Sequence, residues 1–305
     1  QACCFTSVMS NWGRFAQRSA AARRVAALAA ATCPLAPSLV WCKEPVEWSR
    51  GLWNANWDDR AVPPEAKGTL SPSGPVRHLL LVRAGQRHHT GPAAGHLTPL
   101  GHQQAAKTAA KIKSMTEMRK DHYGETRATI TVVRSSGEPA DRESAAVIAA
   151  GLGVALAPAD EALAGGEPCS PNGEAGNDTP RIEAAFRKYC HRAVDHPQLW
   201  AEMKKKKAEA PAAPAAAGAE GEVAEKPGQA ASPAEPLPVY EVVVCHENLI
   251  QYFLCRLLQI PPEAWCRFAM YNCGMTEVKF RPTGGASVVR IGDQGHLSWP
   301  ETTMG

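Results

Sequence analysis

Leu79-Leu80-Leu81-Val82-Arg83-Ala84-Gly85-Gln86-Arg87 is a short apolar run that leads straight into a cation, two small residues and a polar turn. An unbroken apolar run of this length fits a strand buried on both faces of a parallel sheet. Such sheets place their chemistry in the loops beyond the carboxyl ends of the strands. Residues Arg83 to Arg87 are therefore the first candidate for a functional loop.

The same pattern recurs on either side. Ala128-Thr129-Ile130-Thr131-Val132-Val133 is β-branched and ends at Ser135-Ser136-Gly137, and Tyr240-Glu241-Val242-Val243-Val244-Cys245 runs into His246. Helical stretches lie between them. Thr98 is placed to cap a helix with Pro99 at its first position. Glu143 to Ala150 predicts a second helix. Arg181 to Ala193 predicts a third, with Ile182, Ala185, Phe186 and Tyr189 on one face. After His246, the residues Ile250, Phe253, Leu254, Leu257 and Leu258 form an apolar stripe that stops at Pro261-Pro262. Strands are expected at Met275 to Phe280 and Ala286 to Ile291. Strand and helix in alternation argue for an α/β fold, a three-layer α/β/α sandwich with a mostly parallel central sheet.

Composition bounds the rest. The 305 residues allow one good-sized domain plus extensions, and the net charge of +3 is too small to argue for a nucleic-acid partner. Ten cysteines are present, none in a C-x-x-C pair and none with histidine spacing that reads as a metal site. They read as reduced core residues, and no cofactor or metal is expected.

Three segments stand outside the main domain, which spans 75–300. Residues 1–43 contain arginine but no Asp or Glu, the composition of a mitochondrial targeting segment. Within them, 25–42 is mostly apolar and ends near Trp41. It reads as a membrane anchor or a helix docked on a surface. Residues 44–74 form a linker holding Trp53-Asn54-Ala55-Asn56-Trp57-Asp58. Two tryptophans four apart read as an interface anchor or as a segment packed back on its own domain. The stretch 204–238 begins with four lysines and continues in Ala, Pro, Gly and Glu. It lacks the apolar surface to fold and is expected to be a disordered insert.

The residues also carry a resemblance. The histidine phosphatase (phosphoglycerate mutase-like) superfamily has Arg-His-Gly after its first strand, and this chain has Arg83-Ala84-Gly85. The string Leu97-Thr98-Pro99-Leu100-Gly101-x-x-Gln104-Ala105 and the helix from Arg181 are also similar to the family, over roughly Pro75 to Trp299. Trp53, Asn56, Trp57 and Asp58 resemble an assembly motif of a mitochondrial Ser/Thr phosphatase branch, which implies self-association. In the family a histidine takes the phosphoryl group, cations hold its oxygens and a carboxylate protonates the leaving group. The resemblance carries the first cation onto Arg83 and the late histidine onto His246. It puts Ala84 at the nucleophile, which has no lone pair. The second phosphate arginine falls near Pro139 or Ala140, so Arg142 is displaced, and Glu138 with Asp141 adds negative charge. The acid position falls on Gly165, with Glu167 two residues away. His88 matches a histidine of that branch. His89 lies past the turn and needs a different backbone path to reach the site.

These losses lead to the expectation of a catalytically inactive relative. It would be a structural subunit of a mitochondrial, inner-membrane complex such as a respiratory or ATP synthase assembly, held by protein partners. The alternatives are an active mitochondrial Ser/Thr phosphatase with a rearranged site, or a phosphate- or phosphopeptide-binding module using Arg83 and His246.

Overall fold

A computed structural model describes residues 54, 56–122, 128–170, 176–209 and 237–304, with 118–122 described by their backbone alone. The basic segment 1–43, the anchor candidate 25–42, Trp53 and residues 210–236 of the insert lie outside the described residues. The chain divides into units 1–47 and 48–305, and the fold below is that of the second.

The strands are β1 (Arg77–Arg83), β2 (Thr129–Ser135), β3 (Val239–Cys245), β4 (Met275–Phe280) and β5 (Ala286–Asp293). They form one five-stranded sheet in the order β2-β3-β1-β4-β5. The first three are parallel to one another, while β4 adds antiparallel to β1 and β5 adds antiparallel to β4. All seven residues of β1 are buried, because it has a paired strand on each edge and helices on each face.

The period-two alternation of a strand divides its side chains between those faces. Leu79 and Leu81 join a core with α3 (Thr179–Tyr189) and α5 (Glu247–Leu257), through Ile182, Phe186, Phe253 and Leu254. Leu80 and Val82 join a second core with α1 (Pro99–His122) and α2 (Pro139–Leu152), through Ala105, Ile112, Ala145 and Ile148. Each fully buried aliphatic side chain contributes about 1.5–3 kcal/mol relative to exposure. This is the expected three-layer arrangement.

Some boundaries differ from the expectation. Helix α2 begins at Pro139, four residues earlier than predicted, because proline has its φ pre-set for the first helical position. The insert is shorter than 204–238 implied. Its lysine run closes α4 (His196–Glu209), where cations suit the carboxyl end of a helix.

Within the tryptophan motif, Trp57 and Asp58 pack back on their own domain, while Asn56 is exposed. Trp57 lies between Phe186 and Phe280, with ring centroids 6.0 and 5.6 Å away, and its indole N–H donates to the Gly284 carbonyl at 3.3 Å. Asp58 meets Arg192 through several hydrogen bonds of 2.5–3.0 Å, both side chains being at most 3% exposed. Asn56 caps the turn by accepting from the Ala61 N–H at 2.8 Å. Cys169, Cys190, Cys245, Cys255 and Cys273 are buried free thiols, and Cys266 is an exposed one. Among the described residues no helix is long and apolar enough to cross a membrane.

Burial alone would raise the Asp58 carboxyl, but the Arg192 contacts outweigh it and hold it below the usual range. A depressed carboxylate stabilises the fold at neutral pH and loses that contribution as pH falls through its folded value. Asp58→Asn leaves Arg192 buried without its counter-charge. We expect it to cost about 3–5 kcal/mol at pH 7, measured by urea unfolding. A loss that does not shrink at all as the carboxylate becomes protonated at acid pH would contradict this origin.

Candidate active site

The parallel register brings three strand ends to one edge. Arg83 lies opposite Cys245, and Ser135 lies opposite Val244. The loops that follow, Ala84-Gly85, Ser136-Gly137-Glu138 and His246, therefore emerge together. Ala84, Gly85 and His246 line one open pocket with Arg83, Arg87, His89, Asp141 and Asn272.

The loop after β1 is held by a close glycine contact. A Cβ on Gly85 would lie 2.6 Å from the Gly101 carbonyl oxygen, and one on Gly101 would lie 2.2 Å from the Gln86 oxygen. Only glycine lets this loop rest on the start of α1. Thr98 caps that helix as expected, its hydroxyl accepting from the Gly101 N–H at 3.0 Å. The loop then doubles back: the His88 N–H donates to the His96 carbonyl at 2.9 Å, and Gly95 returns the bond to His88 at 2.8 Å. That hairpin is the backbone path that brings His89 to the pocket.

Arg83 is buried. It pairs with Glu247 at 2.7 Å and donates to the Met270 carbonyl. Burial lowers its pKa and Glu247 opposes that shift, so the group remains a guanidinium with one side already anchored. Ala84 presents only a methyl to the pocket. Its carbonyl accepts from the Cys273 N–H at 3.3 Å.

His246 caps α5, its Nδ1 accepting from the Asn248 N–H at 3.4 Å. Burial lowers its pKa, partly opposed by Glu247 and Glu138. A neutral imidazole that accepts on Nδ1 carries its proton on Nε2, so His246 acts as a hydrogen-bond donor.

The carboxylates sit differently from what the sequence implied. A Cβ at Gly165 would lie 2.8 Å from Glu138 Oε1 and 3.2 Å from the His246 ring. The Glu138 carboxylate holds that space, accepting from the Gly165 N–H at 2.6 Å and facing Arg87 at 3.7 Å. Its charge is thus met by donors. Asp141, in the first turn of α2, is buried and accepts from the Ser136 hydroxyl. Burial, with the nearby Glu138 charge, pushes its carboxyl up to about 7, against the pull of Ser136 and Arg87. The expected repulsion of phosphate by Glu138 and Asp141 is correspondingly reduced.

Two candidate residues are not brought in. Successive helix positions lie about 100° apart, so with Asp141 turned inward Arg142 is exposed and outside the pocket lining. Glu167 is exposed too, and its N–H donates to Asp178 at 3.1 Å. Sequence reasoning missed Asn272, whose side chain reaches Thr303 at 2.8 Å. Nothing in its neighbourhood signals a site. Among the described residues there is no cluster of three or more His, Cys, Asp or Glu able to hold a metal ion.

Residues 185–294 match the model of the histidine phosphatase superfamily, branch 1. The chain is 30% identical over 270 residues to the mitochondrial serine/threonine-protein phosphatase Pgam5 of Caenorhabditis elegans, covering 81% of this chain and 79% of that protein. It is 26% identical to human PGAM5, with 83% of each covered. A solved phosphoglycerate mutase from Plasmodium falciparum is 25% identical over 74% of this chain and 96% of that one, with a TM-score of 0.43. The expectation of a protein that is not an enzyme is overturned by these relatives, which are named as phosphatases. Its physical basis was too narrow: Ala84 has no lone pair for a covalent route, while phosphoryl transfer rests mainly on positioning and electrostatics. The chain belongs to the histidine phosphatase superfamily, among the relatives of the mitochondrial serine/threonine-protein phosphatase Pgam5.

Proposed function

We propose that the chain is a mitochondrial phosphomonoesterase of the Ser/Thr protein phosphatase type, with a rearranged site that hydrolyses its substrate by direct attack of water. The observation that carries this reading is the convergence of Arg83, Arg87 and the His246 ring on one pocket beside Ala84. Two cations and a neutral N–H donor suit the three equatorial oxygens of a phosphoryl group in transfer. The methyl of Ala84 leaves room where an imidazole would stand, and a water there would face the phosphorus. The names of the relatives support the substrate class and the mitochondrial setting. The arginine-bearing, acid-free segment 1–43 supports the setting independently. Residues 25–42 add the further proposal of contact with the inner membrane and with protein partners there, and the tryptophan motif adds that of self-association.

The test is phosphate release by the full chain from a phosphoserine peptide. Turnover is expected, and Arg87→Ala should lower kcat/KM by about 10²–10³-fold, the effect of losing one transition-state donor. Arg87 is half-buried and, among the described residues, its salt bridge is to Glu138, so this variant keeps its fold where Arg83→Ala, which strips Glu247 and Met270 of their partner, is at risk. No release by the unaltered protein, or equal rates with and without Arg87, would overturn the reading.

A further inference from the structure

Gly165 has no side chain to serve at the position that the resemblance gives to the acid, so the proton for the departing oxygen must come from another residue. An alkoxide from serine or threonine is a poor leaving group, so its departure is speeded by a positioned general acid. The donor must line the pocket, must carry a proton near neutral pH and must be held in place.

Five side chains that line the pocket can exchange or donate protons: Arg83, Arg87, His89, Asp141 and His246. The two arginines hold their protons too tightly to give one up. His246 is neutral and spends its Nδ1 on the cap of α5, so its remaining proton is that of a neutral imidazole. His89 is exposed at the mouth. Glu138 is committed to the Gly165 N–H and to Arg87, and it is not part of the lining. Asp141 is the one carboxyl in the wall.

We propose that Asp141 is the general acid of this site and does the work that Gly165 cannot. The inference rests on the phosphatase reading above and adds a residue to it. Position comes from the first turn of α2, which begins directly after the Ser136-Gly137-Glu138 loop. Orientation comes from Ser136. Its hydroxyl accepts from the Glu138 N–H at 3.1 Å and so gives its single hydrogen to Asp141 Oδ2. The carboxyl proton is thereby directed to Oδ1. Retention of that proton comes from burial, which together with Glu138 raises the group to about 7 while Ser136 and Arg87 oppose the rise. The other charged or titratable groups around it are Arg83, His89 and His246 in the pocket wall and the Cys245 thiol behind.

The step balances without any co-reactant. Water oxygen bonds to phosphorus as the bond from phosphorus to the seryl or threonyl Oγ breaks. The bonding pair goes to Oγ, which takes the proton from Asp141. The bound water then loses a proton, and the carboxylate recovers one from it or from solvent. The products are the free hydroxyl and hydrogen phosphate.

The experiment compares two substrates with the full chain: a phosphoserine peptide, whose leaving oxygen needs a proton, and 2,4-dinitrophenyl phosphate, whose leaving oxygen does not. Asp141→Asn keeps the shape of the side chain and the bond from Ser136 but cannot donate as an acid. It is expected to lose about 10²-fold or more with the peptide and less than about 10-fold with the aryl ester. The unaltered protein should also lose kcat/KM for the peptide as pH rises through about 7, because the acid must be protonated to act, and this limb should be missing in the variant. Equal losses on both substrates, or an unchanged pH limb, would overturn the proposal and leave the phosphatase reading intact. An unaltered protein inert toward both substrates would instead overturn that reading, and the proposal with it.

Discussion

The in-register parallel pairing of β1 with β3 and of β3 with β2 is the constraint on which this molecule depends. With Arg83 opposite Cys245 and Ser135 opposite Val244, three loops must leave the sheet at the same height. A slip of one residue would turn Leu79 and Leu81 into the core that now holds Leu80 and Val82, reversing every side chain of the strand. The two cores therefore fix the register, and the register fixes the pocket. The antiparallel strands β4 and β5 add the wall that carries Met270, Asn272 and Cys273 to the same edge.

Charge inside the pocket is arranged in pairs with unequal burial. Arg83 is deep and already tied to Glu247. Arg87 is shallower and faces Glu138. Anchoring each cation on one side orients it for an incoming anion without the cost of ordering a free side chain. At Asp141 burial outweighs the pull of Ser136 and Arg87 and pushes the carboxyl up to about 7. The proposed phosphate contacts and the proposed acid share the same desolvated wall.

Much of this arrangement was legible in the residues. The apolar run Leu79 to Val82, the stop at Ser135-Ser136-Gly137 and the approach to His246 marked the three parallel strands, because buried strands leave a continuous apolar signal; their order in the sheet came from the structure. Thr98-Pro99 marked the start of α1 through capping chemistry alone. The site was less legible, because it turns on rotation about a helix. Asp141 and Arg142 are neighbours in sequence, and nothing in their spacing says which one faces inward. His89 reached the pocket through a hairpin closed by backbone bonds, which leave no side-chain pattern. The helix α4 was hidden because only its first residue, His196, is buried, so no apolar stripe betrays it. The tryptophan motif was ambiguous for a different reason: Trp57 and Asp58 have partners more than a hundred residues away.

The central claim is that water, and no side chain, attacks phosphorus in this pocket. Rapid acid and alkaline quenching of the protein during turnover of a radiolabelled phosphoserine peptide tests it most directly. The account predicts phosphate released to solvent with no label retained on the chain at any time point. Label held on the protein in the acid-labile, alkali-stable form of a phosphohistidine, at His89 or His246, would contradict it.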